Sequence, residues 1–486
     1  MKVILIEPPF ERLKKINYGY FPLGLGYIST VLNTHGIYCR VYNAEFGPEK
    51  FRDVSKNFYE QLLERYPLYI DALEDDDHYV WKEIRETLKK YKPDAVGISV
   101  KTAKLPSALK IAGILKKLDE KCFVIFGGYH PTTSAKNTLK NNDVDFVVRG
   151  EGEHTFLELC QELASSKPSF NRIKGLSYKK KKKIISNPPR TLIKDLDKLP
   201  ILDKSYAINP DLYSKSIMGD IITSRGCPFD CTFCSQKEMW EGCVRYRKID
   251  QVILEMEKII NQFHTKQFYF WDDTFTMNRK RIINLCEEII KRNFNILWGC
   301  TTRVDFLDTD LLRMMKKAGC VSIDIGIESG SQKILDSLQK GITIDQVKKA
   351  VEMIKKAKIE CNAFFMIGFP QETEQDIKKT IALIKQLDVS NISLSIFTPY
   401  PGSELYLQSK EMGLIEDNTN YALYSHQSPY NFFNKNISRK KYKKYLKEMA
   451  IVVDRKNNRL SRKINFLRVR SSFYLQNPNQ FLDFLR

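Results

Sequence analysis

Short apolar runs and longer amphipathic stretches alternate along the first third of the chain. Residues 3–6, 38–42, 94–100, 123–128 and 144–148 are apolar over a strand's length. Between them the apolar positions recur at helical spacing, as in 22–33, where Gly36 stands just past the expected helix end. This alternation predicts a doubly wound parallel sheet with helices on both faces. A polar, helical insertion is expected from about 49 to 91. Residues 174–178 and 183–186 predict a hairpin with a lysine-rich tip. A linker punctuated by Pro188, Pro189 and Pro200 follows, to about 214. From there an apolar strand followed by a helix recurs about six times, with strands at 221–223, 267–271, 296–301, 322–327, 361–367 and 393–397. Each ends on a polar motif, which is how a βα barrel carries its chemistry. After 411 the motifs stop. Residues 439–458 have helical periodicity with a basic face, and the C-terminal piece from 411 onward is expected to close the barrel mouth and shape the substrate site. The expected fold class is α/β: a doubly wound domain at 1–165, hairpin and linker at 166–214, a partial barrel at 215–410, and a mostly helical extension at 411–486.

Composition narrows the setting. A chain of 486 residues with 43% hydrophobic residues can form two or three domains. No apolar run is long enough to span a bilayer, and the first residues are too short and too soon acidic for a signal peptide. Eleven cysteines without regular pairing point to a reducing cytoplasm. The formal charge is +20, densest at 179–183 and again beyond Arg439. Aromatic residues are not interleaved with the basic ones, which argues against nucleic acid. The charge suits solvated faces, or a surface for an acidic electron donor or an anionic membrane.

The most specific stretch is Gly226-Cys227-Pro228-Phe229-Asp230-Cys231-Thr232-Phe233-Cys234. Three thiolates at this spacing can hold three irons of a cubane [4Fe-4S] cluster and leave the fourth iron open. A zinc site would need a fourth ligand at short spacing, and Cys243 is the nearest candidate. The CPFDCTFC string resembles the signature of the radical S-adenosylmethionine (SAM) superfamily. That resemblance implies a partial (β/α)6 barrel, a cluster held by Cys227, Cys231 and Cys234, and a 5'-deoxyadenosyl radical made from SAM. It also implies SAM contacts. Phe233 matches the residue whose backbone touches adenine. Asp272 and Asp273 stand where the family has Gly-Gly-Glu, so the carboxylate that meets the SAM amino group is open. Glu328 and Ser329 match fourth-strand contacts to ribose or the methionine carboxylate, Ile367 and Gly368 match adenine contacts, and Arg303 would offset the SAM carboxylate. Helix capping or barrel salt bridges are the alternative uses of these side chains.

The first domain bears a second resemblance. Glu7-Pro8-Pro9, Pro22-Leu23-Gly24-Leu25-Gly26-Tyr27, Val96-Gly97-Ile98-Ser99, Gly127-Gly128-Tyr129-His130-Pro131 and Gly150-Glu151-Gly152-Glu153 resemble the cobalamin-binding domain that precedes many radical SAM barrels. Their place at strand carboxyl ends is where an open parallel sheet receives a ligand. The resemblance implies cobalamin near Ser99, Thr102, Gly127, Gly128, His130, Gly150 and Glu151. The usual Asp-x-His-x-x-Gly is missing, so cobalamin is expected without a protein imidazole below cobalt, or else the domain keeps the fold without the cofactor.

Together the resemblances imply a cobalamin-dependent radical SAM enzyme that methylates an unactivated carbon of a small-molecule or lipid-like substrate, reduced by an acidic donor such as flavodoxin or ferredoxin. The alternative is an oxidative cyclase or rearrangement enzyme of the anaerobic magnesium-protoporphyrin ester cyclase type. A tRNA methylthiolase would need three further cluster cysteines, and Cys39, Cys122 and Cys160 lie on separate elements. A non-enzymatic cobalamin or redox sensor is disfavoured by Asp273, Glu328 and the full cluster loop.

Overall fold

The computed structural model describes residues 1–17, 19–51, 57–181, 183–416 and 419–476. Part of the insertion (52–56), Lys182 of the lysine run and the last ten residues of the C-terminal extension lie outside them.

The apolar runs of the first third form β1 (Lys2–Glu7), β2 (Tyr38–Asn43), β3 (Ala95–Ser99), β4 (Phe123–Gly127) and β5 (Phe146–Val148). They pair in parallel in the order β2-β1-β3-β4-β5. Both faces of such a sheet are covered by helices, so its strands are apolar throughout rather than alternating. α1 (Leu23–Thr34) covers one face, and the insertion folds as α2 (Phe58–Glu74) and α3 (Tyr79–Tyr91). The hairpin, β6 (Leu176–Lys180) and β7 (Lys183–Ser186), is no separate unit: it extends the same sheet, antiparallel to β5.

The barrel sheet contains β8 (Asp220–Ile221), β11 (Gln267–Phe270), β12 (Leu297–Thr302), β13 (Cys320–Glu328), β14 (Glu360–Ile367) and β15 (Asn391–Ile396), all parallel and in sequence order. A short antiparallel pair, β9 (Ser224–Arg225) and β10 (Arg245–Tyr246), brackets the cluster loop. The helix Ile249–Phe263 and its successors bury one apolar stripe each against the strands, and one continuous core results.

Two segments take places that the sequence did not specify. Within the C-terminal extension, the helix Arg439–Asn457 packs along the edge of the barrel sheet. It buries Tyr442, Leu446, Met449 and Val453, and Asn457 caps the edge of β15 through both backbone groups of Ile392. An edge strand must be covered or paired, and this helix covers it. The mouth is reached by the preceding loop, where the His426 carbonyl accepts from the backbone N–H of Ile396. The insertion, in turn, is not peripheral: Tyr59 and Leu62 of α2 are part of the barrel's core, and the Tyr66 hydroxyl donates to the Ala422 carbonyl at 2.8 Å. Among the described residues no helix is long and apolar enough to cross a membrane.

Candidate functional site

The carboxyl edges of the two sheets face each other, joined by buried ion pairs. Arg225, just before the cluster loop, reaches Glu151 at 2.8 Å and Glu153 at 2.7 Å, which stand at the start of the helix Gly152–Leu163 that follows β5. Arg245 reaches the other oxygen of Glu151 at 2.7 Å. Burial works against ionising Glu151, but the arginines outweigh it and its pKa falls. Glu151 therefore borders the first cavity as part of an interdomain clamp.

That cavity, about 510 Å³, opens at the carboxyl edge of β1, β3, β4 and β5. Its floor is apolar, with Leu5, Ile125, Val148 and Phe156. Ser99, Gly127, Gly128 and Gly150 line it. A Cβ built on Gly24 or Gly150 would meet nothing within 4 Å, so the cavity is open above both. Gly128 has φ +98°, and a side chain there would press on the Val100 backbone at 3.2 Å. An apolar slot of this size walled by glycine lets a large planar ligand approach the backbone. Cobalamin fits this donor set. Among the described lining residues none is a histidine. Thr102 and His130 do not join the others. His130 is buried, with Nδ1 3.2 Å from Thr102 Oγ1 and its ring edge-on to Tyr421, and Thr102 lines a second cavity.

The cluster loop hangs between the barrel and that sheet edge. Backbone bonds from Thr232 to the Leu338 carbonyl (3.0 Å) and from Leu405 to the Thr232 carbonyl (2.8 Å) pin it at both sides. Gly226, at φ +100°, allows the chain to pass the Cys243 carbonyl, which a Cβ would strike at 1.9 Å. Cys227, Cys231 and Cys234 are close enough to influence one another's ionisation. Burial lifts all three thiols, Cys234 up to about 12. Such thiols ionise only with a cation beside them, which bound iron supplies. Among the described residues no three His, Cys, Asp or Glu side chains converge on a single ion. Cys243 is exposed, and its thiol faces the Glu241 carbonyl at 3.7 Å. The donor set suits a cluster that spreads its ligands over several irons better than it suits zinc.

Around the loop the candidate SAM contacts separate into available and occupied groups. Asp272 is occupied: it accepts from the Thr223 N–H (2.7 Å), the Thr223 hydroxyl (2.6 Å) and the Ser224 hydroxyl (2.6 Å). Among the described residues Asp273 takes only the Gln236 amide from side chains, at 2.8 Å, and it borders the first cavity. Burial, then the neighbouring Asp272, raises its carboxyl to about 6. Arg303 holds Asp305 with two nitrogens at 3.0 Å each and stacks 3.7 Å above Phe229. Its buried Nη1 has no partner. A buried guanidinium nitrogen left open is a place for an anion such as the SAM carboxylate.

Glu328 sits at φ +68°, an uncommon conformation for a residue with a side chain, at an irregularity in the β13–β14 pairing. It pairs at 2.8 Å with Lys340, whose ammonium lies 5.7 Å from the Phe233 ring centre. No sequence motif marks Lys340. Ser329 is turned away: its hydroxyl meets Thr380 at 3.2 Å behind the strand. The Ile367 side chain is core, and Gly368 donates its N–H to the buried Glu372 at 2.7 Å.

Phe233 and Cys234 also border the second cavity, about 760 Å³, which lies between α2, the first sheet and the barrel mouth. Tyr20, Lys101, Tyr129 and Gln236 line both cavities and form the wall between them. Nothing in the sequence pointed to α2 or His426 as walls of this chamber.

A cobalamin-type cavity abutting a three-cysteine cluster loop at the mouth of a six-stranded βα barrel defines an iron–sulfur enzyme that cleaves SAM. Comparison with known proteins agrees. Residues 221–384 match the radical SAM superfamily and 12–160 match the B12 binding domain. The chain is 35% identical over 412 residues to an uncharacterized methyltransferase of Pyrococcus horikoshii, covering 84% of this chain and 82% of the relative. It is 31% identical over 349 residues to the anaerobic magnesium-protoporphyrin IX monomethyl ester cyclase of Rubrivivax gelatinosus, covering 70% of this chain and 62% of the cyclase. In fold it is similar to the radical SAM methyltransferase TsrM of Kitasatospora setae, solved with cobalamin and a [4Fe-4S] cluster, at TM-score 0.65 and 16% identity, over 88% of this chain and 82% of that one. The chain belongs to the radical SAM superfamily, among the members that carry a B12-binding domain ahead of the barrel. Its cofactors are SAM, a [4Fe-4S] cluster and cobalamin.

Proposed function

We propose that this enzyme transfers a methyl group from cobalamin to an unactivated carbon of a small-molecule or lipid-like substrate. One observation carries the reading: the glycine-lined cavity of the first domain and the cavity beside Phe233 and Cys234 share a wall of four side chains. When bound, the cofactors supply a hydrogen-abstracting radical from one side and a methyl group from the other. Cys227, Cys231 and Cys234 would hold the cluster. Asp273 would accept from the SAM ammonium and Arg303 Nη1 would take its carboxylate. Phe233 and the Gly368 backbone would border the adenosine. The Lys340–Glu328 pair beside Phe233 would fix that ring's surroundings. The enclosing walls would keep water from a radical that attacks whatever is nearest.

An oxidative cyclase is the second reading, favoured by the likeness to the magnesium-protoporphyrin ester cyclases. Mass spectrometry of products made with methyl-labelled SAM separates the two. Methyl transfer gives a labelled product, with one 5'-deoxyadenosine and one S-adenosylhomocysteine for each. A product without the label, with no matching S-adenosylhomocysteine, rejects methyl transfer in favour of the cyclase.

A further inference from the structure

Lys101 follows β3 directly and lies on the wall between the two cavities. The other cations of that region have partners. Lys14 meets Glu11 at 2.9 Å, and Lys104 meets Glu7 and Glu45 at 2.7 Å each. Arg65 donates to the Lys15 carbonyl at 2.7 Å. Lys101 has no ion pair and no side-chain hydrogen bond among the described residues; its ammonium stands 5.5 Å from the Tyr20 ring centre. Its side chain keeps free surface, yet burial lowers its pKa. The two observations agree if the free surface faces the cavities rather than the outside.

His426, from the loop over the barrel mouth, has the same character on the far wall of the second cavity. Burial first, then Lys14 and Lys101, pushes its pKa down to about 4, so its ring is neutral at physiological pH and adds no competing charge. The rest of the lining combines apolar and aromatic side chains, among them Phe10, Phe58, Leu62, Tyr66, Phe233 and Tyr400, with polar ones that include the carboxylates Glu11 and Glu45, held by Lys14 and Lys104. The carboxylates nearest Lys101, Glu7 and Glu45, are both paired with Lys104, so an arriving anion would give the Lys101 ammonium a direct partner of its own.

Building on the methyltransferase reading, we propose that the second cavity is the substrate chamber and that Lys101 receives an anionic group, carboxylate or phosphoryl, of a substrate whose remainder is aromatic or aliphatic. The same ammonium also borders the cobalamin cavity, so the corrin's own phosphate is the competing source of negative charge.

Calorimetric titration of anaerobic holoenzyme, loaded with cluster, cobalamin and SAM, tests this with three probes: 2-naphthoate, 2-naphthylphosphonate and the neutral 2-naphthamide. At least one anion should bind about tenfold or more tighter than the amide, as expected of a hydrogen bond to a charged group. Lys101→Met should abolish that preference and Lys101→Arg should retain it, with the corrin absorption recorded for each variant. Equal binding of acids and amide, no binding of either anion, or a preference that survives in Lys101→Met overturns the proposal. So does a Lys101→Met enzyme that loses cobalamin while the anion preference is unchanged, which assigns the cation to the corrin phosphate. The binding measurement needs no methyl transfer, so its failure and that of the methyltransferase reading are distinguishable.

Discussion

Arg303 has five donors and uses two of them on Asp305, which leaves its buried Nη1 open. If that nitrogen meets the SAM carboxylate, Arg303→Gln should weaken SAM binding about tenfold to a hundredfold, the range for a hydrogen bond to a charged group. Equilibrium dialysis with SAM checks this, and unchanged affinity would return Arg303 to a purely structural role. Glu372 gives a pH prediction. Burial raises its carboxyl to about 8, while it accepts the Gly368 N–H with one oxygen and leaves the other unpartnered. An ordinary glutamate titrates near ~4.3, so between those values the folded protein keeps a proton that the unfolded chain has lost. Its contribution to stability is therefore complete below the lower value and declines as pH rises toward 8. Glu372→Gln should flatten that decline, read as denaturation midpoints across the pH range. At this scale the sequence marked Asp272 and Asp273 equally. Only the hydrogen bonds from Thr223 and Ser224 separate them, because those donors come from a segment far away in sequence.

α2 shows how an element's role depends on which surface it meets. Its sequence is amphipathic, with Leu62 buried and the next residue, Leu63, 44% exposed. The buried side packs into the barrel core and lines the second cavity, so the helix links the two domains. Leu62→Ala should lower stability by about 2–4 kcal/mol, the range for a truncated core leucine, and Leu63→Ala should stay within about 0.5 kcal/mol. Chemical denaturation of the pair measures the difference, and equal losses would mean that α2 does not pack as described. Periodicity reveals the apolar face of such a helix, but the element that the face covers is a long-range matter. The helix Arg439–Asn457 gives the same lesson: its basic face was legible, and its place along β15 was not.

For the whole molecule the decisive feature is the alignment of two carboxyl edges, and Arg225 is its main bolt. It is buried between Glu151 and Glu153 of the first domain and stands one residue before the cluster loop's Gly226. Removing one partner of a buried charge group typically costs about 3–5 kcal/mol because the remaining charges lose their compensation. Arg225→Met should therefore loosen the interdomain contact, making residues 187–214 easier to cleave in limited proteolysis and lowering cobalamin retention. A variant with wild-type cleavage kinetics and full corrin content would place the holding force elsewhere.

The sequence by itself determined the strands of the two parallel sheets, the cluster loop and the glycines at the strand ends. Each depends on local rules: strand-length apolar runs, cysteine spacing, and backbone approach that only glycine permits. It also marked strand ends as the place of chemistry. Tertiary structure alone decided that the hairpin joins the first sheet, that His130 packs against Thr102 away from the cavity, and that Lys340 pairs with Glu328. It likewise decided that Lys101 faces a chamber walled in part by α2 and the His426 loop. The physical reason is range. Spacing along the chain fixes what neighbours in sequence can do, whereas the partner that satisfies, buries or leaves open a polar group is chosen by the packing of distant elements.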